Sequence, residues 1–205
     1  MGRIRTQAGD VLDEIMQPLY DVYDIAAGVN ISGSQGITFF SQGRSGSVSD
    51  TLTAPGLTTS GTLTANNSFR CTGLQLFAQN ISEANQAVLP ILMESSFINF
   101  HVDTKDYWTG NAMLACGRVW QNAALAGDAA GPAVSSLQQS YGAPAARAVS
   151  FSRLHTVDIE SLAHFYVQWV ADQVPPVYAA AIVPAVGTNI RVMMCLFGLY
   201  RRAVQ

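Results

Sequence analysis

Phe69-Arg-Cys-Thr-Gly-Leu-Gln-Leu-Phe-Ala-Gln-Asn-Ile81 is the clearest long strand in this chain. A period of two places Thr72, Leu74, Leu76 and Ala78 on one face and Phe69, Cys71, Phe77 and Ile81 on the other. Both faces are partly apolar, which suits a sandwich strand whose outer face is also covered. The same reading makes Ile190 to Leu199 a second key strand, nearly all apolar and therefore central and enclosed on both sides.

Working outward from these two, Gly36-Ile-Thr-Phe-Phe-Ser-Gln42 has the β-branched and aromatic make-up of a strand. Ser96 to Val102 alternates Ile98, Phe100 and Val102 against Phe97, Asn99 and His101. Ala163 to Val170 alternates Phe165, Val167 and Trp169 against His164, Tyr166, Gln168 and Val170. With Phe151 to Ile159 as a further strand the tally is roughly seven or eight, which predicts an all-β sandwich or barrel. Helix is expected in two short pieces. One is Asp10 to Gln17, with Asp10 as N-cap and Pro18 as terminator, although an extended arm through Ile25 fits almost as well. The other runs from Ser82 to Ser95, broken around Pro90.

Between the strands the composition changes. Residues 31 to 64 hold seven serines, seven threonines and six glycines, with Arg44 and Asp50 as the only charges, too polar a stretch to make a core. The expectation is an N-terminal arm over 1–27, then a single domain over 28–205 with long loops near 41–64 and 121–148. The second loop is a run of small residues, ten of its 28 being alanine. Asp103 to Gly110 reads as a turn-rich polar stretch carrying Tyr107 and Trp108.

Charge narrows the function classes. Asp, Glu, Lys and Arg make up 12% of the 205 residues, against about 25% in an average soluble domain. With 11 basic residues, 14 acidic ones and Lys105 as the only lysine, there is no broad basic face for nucleic-acid phosphates. Cys71, Cys116 and Cys195 are an odd, widely spaced set, read as buried thiols in a reducing compartment. No secretory signal and no apolar run of roughly 20 residues is visible, so a cytoplasmic origin without a membrane span is expected.

Catalytic and metal chemistry find little support. His155, Asp158, Glu160 and His164 lie close in sequence, but on a strand His155 and Asp158 point to opposite faces. His101 and Asp103 share a strand face without the further ligands a metal needs. The carboxylate pairs Asp103 with Asp106 and Asp158 with Glu160 sit beside turns, where acidic residues commonly end strands. Neither a catalytic residue nor a cofactor is assigned. Tyr107 and Trp108 are candidates for stacking on a glycan, with the simpler reading that they anchor their loop to the sandwich edge.

What remains is assembly. Pro18-Leu-Tyr-Asp21, the Ile37-Thr-Phe-Phe40 strand, the polar Ser/Thr/Gly stretch, the Phe69 to Ile81 strand and the ending Ile190 to Gln205 together resemble the jelly-roll capsid proteins of bacteriophages. The resemblance spans most of the chain, and the alanine-rich 121–148 has no counterpart in it. It implies a single jelly roll of about eight antiparallel strands. It also implies a structural virion protein, assembled in the host cytoplasm, that forms a shell with copies of itself and with other virion proteins. The neighbouring alternatives are a decoration or vertex protein and a carbohydrate-binding jelly roll. Subunit contacts are expected at Arg3, Arg5, Asp10, Asp13, Glu14, Asp21 and Asp24 of the arm, at Tyr107 and Trp108, and at Arg201 and Arg202. The terminal arginines would meet an acidic arm, or at most a packaged genome.

Overall fold

A computed structural model describes residues 2–5, 11–26, 36–41, 61–79, 92–116, 120–121, 139–140, 149–151, 155–170 and 190–203. The chain is an all-β sandwich of two antiparallel sheets. Its strands are β1 (Gly2–Arg5), β2 (Val11–Met16), β3 (Leu19–Ile25), β4 (Ile37–Phe39), β5 (Asn67–Gln79), β6 (Phe97–Val102) and β7 (Lys105–Asn111). After the short helix α1 (Ala112–Cys116) come β8 (Trp120–Gln121), β9 (Gln139–Ser140), β10 (Val149–Ser150), β11 (Val157–Ile159), β12 (Phe165–Val170) and β13 (Ile190–Ala203).

The larger sheet is built on β13, the apolar strand the sequence singles out. One side of it pairs with β5 along nearly its whole length, and the other pairs with β3 and then β2. Pairing on both sides satisfies its backbone polar groups, which is why an apolar run is stable there. On the far side of β5 lie β10 and β11, and β1 closes the opposite margin against β2. The smaller sheet has the order β4-β12-β6-β7, and β8 and β9 form a separate pair.

The expected helix over Asp10 to Gln17 is replaced by strand β2. Met16 faces Leu199 and Leu19 faces Leu196, so β2 and β3 are one extended segment interrupted at Gln17 and Pro18. Proline has no N–H to give the ladder, hence the gap. A helix of two turns is marginal alone, whereas the edge of β13 offers a full set of backbone partners. Residues 11–25, expected to be an arm on a neighbouring subunit, are thus strands in the chain's own sheet.

The alternation in β5 changes phase. Between Gly73, opposite Phe197, and Cys71, opposite Gly198, the ladder skips Thr72. This bulge lets Phe69 and Cys71 join Leu74 and Leu76 in one core, although strict alternation assigns the pairs to opposite faces. The Thr72 hydroxyl donates to the Phe197 carbonyl at 3.2 Å. Gly198 is required here, because a Cβ would collide with the Arg70 carbonyl oxygen and lie 2.7 Å from the Phe69 ring.

Asp103 to Gly110 is also corrected. It is a two-residue turn followed by β7, which pairs with β6 as a hairpin. Its polar character reflects an edge strand with one face in water. Among the described residues, strand structure near the predicted Phe151 to Ile159 is found in β10 and β11, and 152–154 lie outside them. Of the expected helix at 82–95, residues 92–94 are helical and 82–91 lie outside the described residues. Most of the two long loops, 41–64 and 121–148, also lies outside them.

The core lies between the sheets, where Phe39, Phe100, Phe165 and Trp169 of the smaller sheet meet Phe69, Leu76, Met194 and Leu196 of the larger. The buried indole N–H of Trp169 donates to the Ser96 hydroxyl at 2.6 Å. Among the described residues the fully buried Gln75 amide has no hydrogen-bond partner.

Candidate functional site

Two clusters of polar side chains stand out. The first is the seam between the N-terminal strands and β13. Antiparallel register puts Arg191 opposite Asp24, Arg201 opposite Glu14 and Arg202 opposite Asp13. Arg191 donates to both Asp24 carboxylate oxygens, at 2.7 and 2.9 Å, and Arg201 reaches Glu14 at 2.9 Å. Arg202 stands 4.0 Å from Asp13. The bond to Asp24 raises the Arg191 guanidinium above its ordinary pKa. Asp21 is buried and accepts the backbone N–H of Phe40 at 2.6 Å, holding that residue in the left-handed region at φ 63°. Most of the acidic residues expected at a subunit contact therefore have partners within the chain. Arg3 and Arg5 lie on β1, paired through the backbone with Asp13 and Val11, and Asp10 is outside the described residues. Of these partners the sequence reading missed Arg191, whose position opposite Asp24 follows only from the register.

The second cluster lies on the solvent face of the smaller sheet, where β6, β7 and β12 run side by side. Alternation turns Asn99 and His101 outward from β6 and Tyr166 outward from β12, and the hairpin register puts Asp106 opposite His101. The His101 ring places Nδ1 2.6 Å from an Asp106 carboxylate oxygen and Nε2 2.7 Å from the Asp103 carbonyl oxygen. The Asn99 amide donates to the same Asp106 oxygen at 3.1 Å and accepts from the Thr109 hydroxyl at 3.0 Å. Tyr166 stacks on His101 with ring centroids 4.6 Å apart, and His164 meets Tyr166 edge-on. The Asp106 bond raises the His101 imidazole above its ordinary pKa, against the lowering effect of burial and with a smaller raise from the Asp103 carbonyl. The bond from His101 in turn lowers the Asp106 carboxyl. Sequence alternation already placed Asn99 and His101 together. Recognising the hairpin turn at Asp103 and Thr104 would have added Asp106.

Other candidates are dispersed. Trp108 packs against the core with its ring over Gly110, while Tyr107, the extra residue at a bulge in β7, is 45% exposed. The two rings do not share one platform. Asp158 pairs with Arg70 at 2.8 Å, and the Asp103 carboxylate accepts the His164 backbone N–H at 2.9 Å. Among the described residues no three His, Cys, Asp or Glu side chains come together as a metal site. The three cysteines are buried, and burial pushes each thiol up to about 12. No helix among the described residues is long and apolar enough to cross a membrane. Comparison with protein-family models, with curated proteins and with solved structures found no match to this chain.

Proposed function

We propose that this chain is a structural virion protein, a jelly-roll capsid subunit that assembles with copies of itself into a shell. The observation that carries the reading is the order in which the chain visits the two sheets. β3 lies in the larger sheet, β4 in the smaller, β5 in the larger, β6 and β7 in the smaller, β10 and β11 in the larger, β12 in the smaller and β13 in the larger. Such crossing between sheets is what two interlocked Greek keys produce, the plan of jelly rolls in viral shells and lectins. Fold alone does not choose between those functions. The lectin reading loses its main support, because Trp108 packs on the core instead of standing out beside Tyr107. The shell reading gains from the low charge of the chain and from the pairing of acidic strand residues with the arginines of β13. Among the described residues these leave few unpaired charges to keep neighbouring copies apart. It gains also from β1, whose outer edge no described strand covers, since an open edge offers unpaired backbone groups to another chain.

The test is the mass of the purified protein by light scattering over a wide concentration range, with negative-stain imaging of any large species. Discrete rings or shells are expected. A protein that stays strictly monomeric at high concentration overturns the reading.

A further inference from the structure

We propose that His101 is a pH-dependent clasp on the β6–β7 hairpin, which as an imidazolium ties the second strand of the hairpin to its turn and which releases the turn when it loses its proton. The geometry carries this. Both oxygens facing the ring, the Asp106 carboxylate at Nδ1 and the Asp103 carbonyl at Nε2, are acceptors with no proton to give. Only the doubly protonated ring donates to both. A neutral ring keeps one N–H, so one nitrogen lone pair must then face an oxygen lone pair across less than a normal contact distance. The ring has little freedom to turn away, because one face is stacked on Tyr166 and its side chain is 19% exposed.

The turn is primed to move when released. Asp103 sits at φ 53°, a conformation that side chains other than glycine adopt at a cost. What holds it is the His101 bond to its carbonyl, together with a two-way link to His164, the residue before β12. In that link the Asp103 N–H donates to the His164 carbonyl at 2.7 Å and its carboxylate accepts the His164 N–H. The titratable and charged groups around His101 are Asp106 and Lys105 from β7, Asp103 from the turn, Tyr166 from β12 and His164 just before it.

The sign follows from the two shifts. The raised imidazole favours the clasped state below the His101 pKa, and that contribution is lost as pH rises through it. The lowered carboxyl favours the clasped state above the Asp106 pKa, and that contribution is lost as pH falls through it. The clasp is therefore closed from mildly acidic pH up to the raised imidazole value and opens above it.

The experiment uses the full chain labelled with ¹⁵N. At mildly acidic pH the His101 ring is expected to show protons on both nitrogens, and its titration midpoint to lie above the ordinary value. Amide exchange at Asp103 to Asp106, corrected for the intrinsic effect of pH, should speed up about fivefold or more across that midpoint, the change expected for one lost hydrogen bond. Val192 to Met194 in β13 should show no such step. Asp106→Asn, at an exposed position, should move the midpoint down. An ordinary midpoint that Asp106→Asn leaves in place overturns the proposal. So does turn exchange that shows no step across the midpoint in the unaltered protein, whatever the variant does.

Discussion

Leu19→Ala separates a strand that belongs to the fold from an arm that could detach. Leu19 is fully buried and lies opposite Leu196, itself fully buried, in the β3–β13 ladder. The substitution removes three carbons, which at about 0.8 kcal/mol each gives about 2.4 kcal/mol of lost transfer free energy. The cavity left in the core adds to this, for a total of about 3 kcal/mol. For a chain of this size that lowers the melting temperature by roughly 6–12 °C. With a denaturant slope near 3 kcal/mol/M, the urea midpoint falls by about 1 M. The control is Met16→Ala, on the other side of Pro18 and 80% exposed, which should change stability by less than about 0.5 kcal/mol. Urea unfolding followed by tryptophan fluorescence, for both variants and the unaltered chain, gives the comparison. If Leu19→Ala proves as harmless as Met16→Ala, residues 19–25 are not part of the folded core and the account of the larger sheet is wrong.

Gly198→Ala should destabilise by at least about 2 kcal/mol, because its Cβ meets the Arg70 carbonyl and the Phe69 ring at the bulge; a thermal melt unchanged from the parent would remove the argument for the phase change in β5. Ser96→Ala leaves the buried Trp169 N–H without its acceptor and should cost about 1–3 kcal/mol in urea unfolding, against which a loss under about 0.5 kcal/mol would count. With thiol pKa values pushed up to about 12 by burial, Cys71, Cys116 and Cys195 should resist alkylation at pH 8 in the native protein and all react in denaturant. Rapid native labelling of any of the three would contradict their placement.

Much of this protein was legible in its residues. Strands with one apolar face declared themselves by period two. Ile98, Phe100 and Val102 point inward and His101 outward, and Phe165, Val167 and Trp169 are buried, as alternation requires. The apolar run from Val192 to Leu199 announced a central strand, and β13 is central, paired with β5 on one side and with β3 and β2 on the other, while Met193, Phe197 and Leu199 are only partly buried. Pro18 marked a break whichever structure flanked it.

What the tertiary structure decided were the matters settled by partners distant in sequence. Val11 to Met16 carries a spacing compatible with helix and strand alike, and the open edge of β13, nearly two hundred residues away, selected strand by supplying backbone hydrogen bonds. The bulge at Thr72 could not be read locally, since it depends on which residue of β13 stands opposite. The same holds for the candidate sites. Arg191 with Asp24, and His101 with Asp106 and Tyr166, are neighbours only through strand register, and an ion pair or a clasped imidazole exists only when the register brings both groups within hydrogen-bond reach. Local residue types determine which face of a strand is buried. Long-range pairing determines which charges meet.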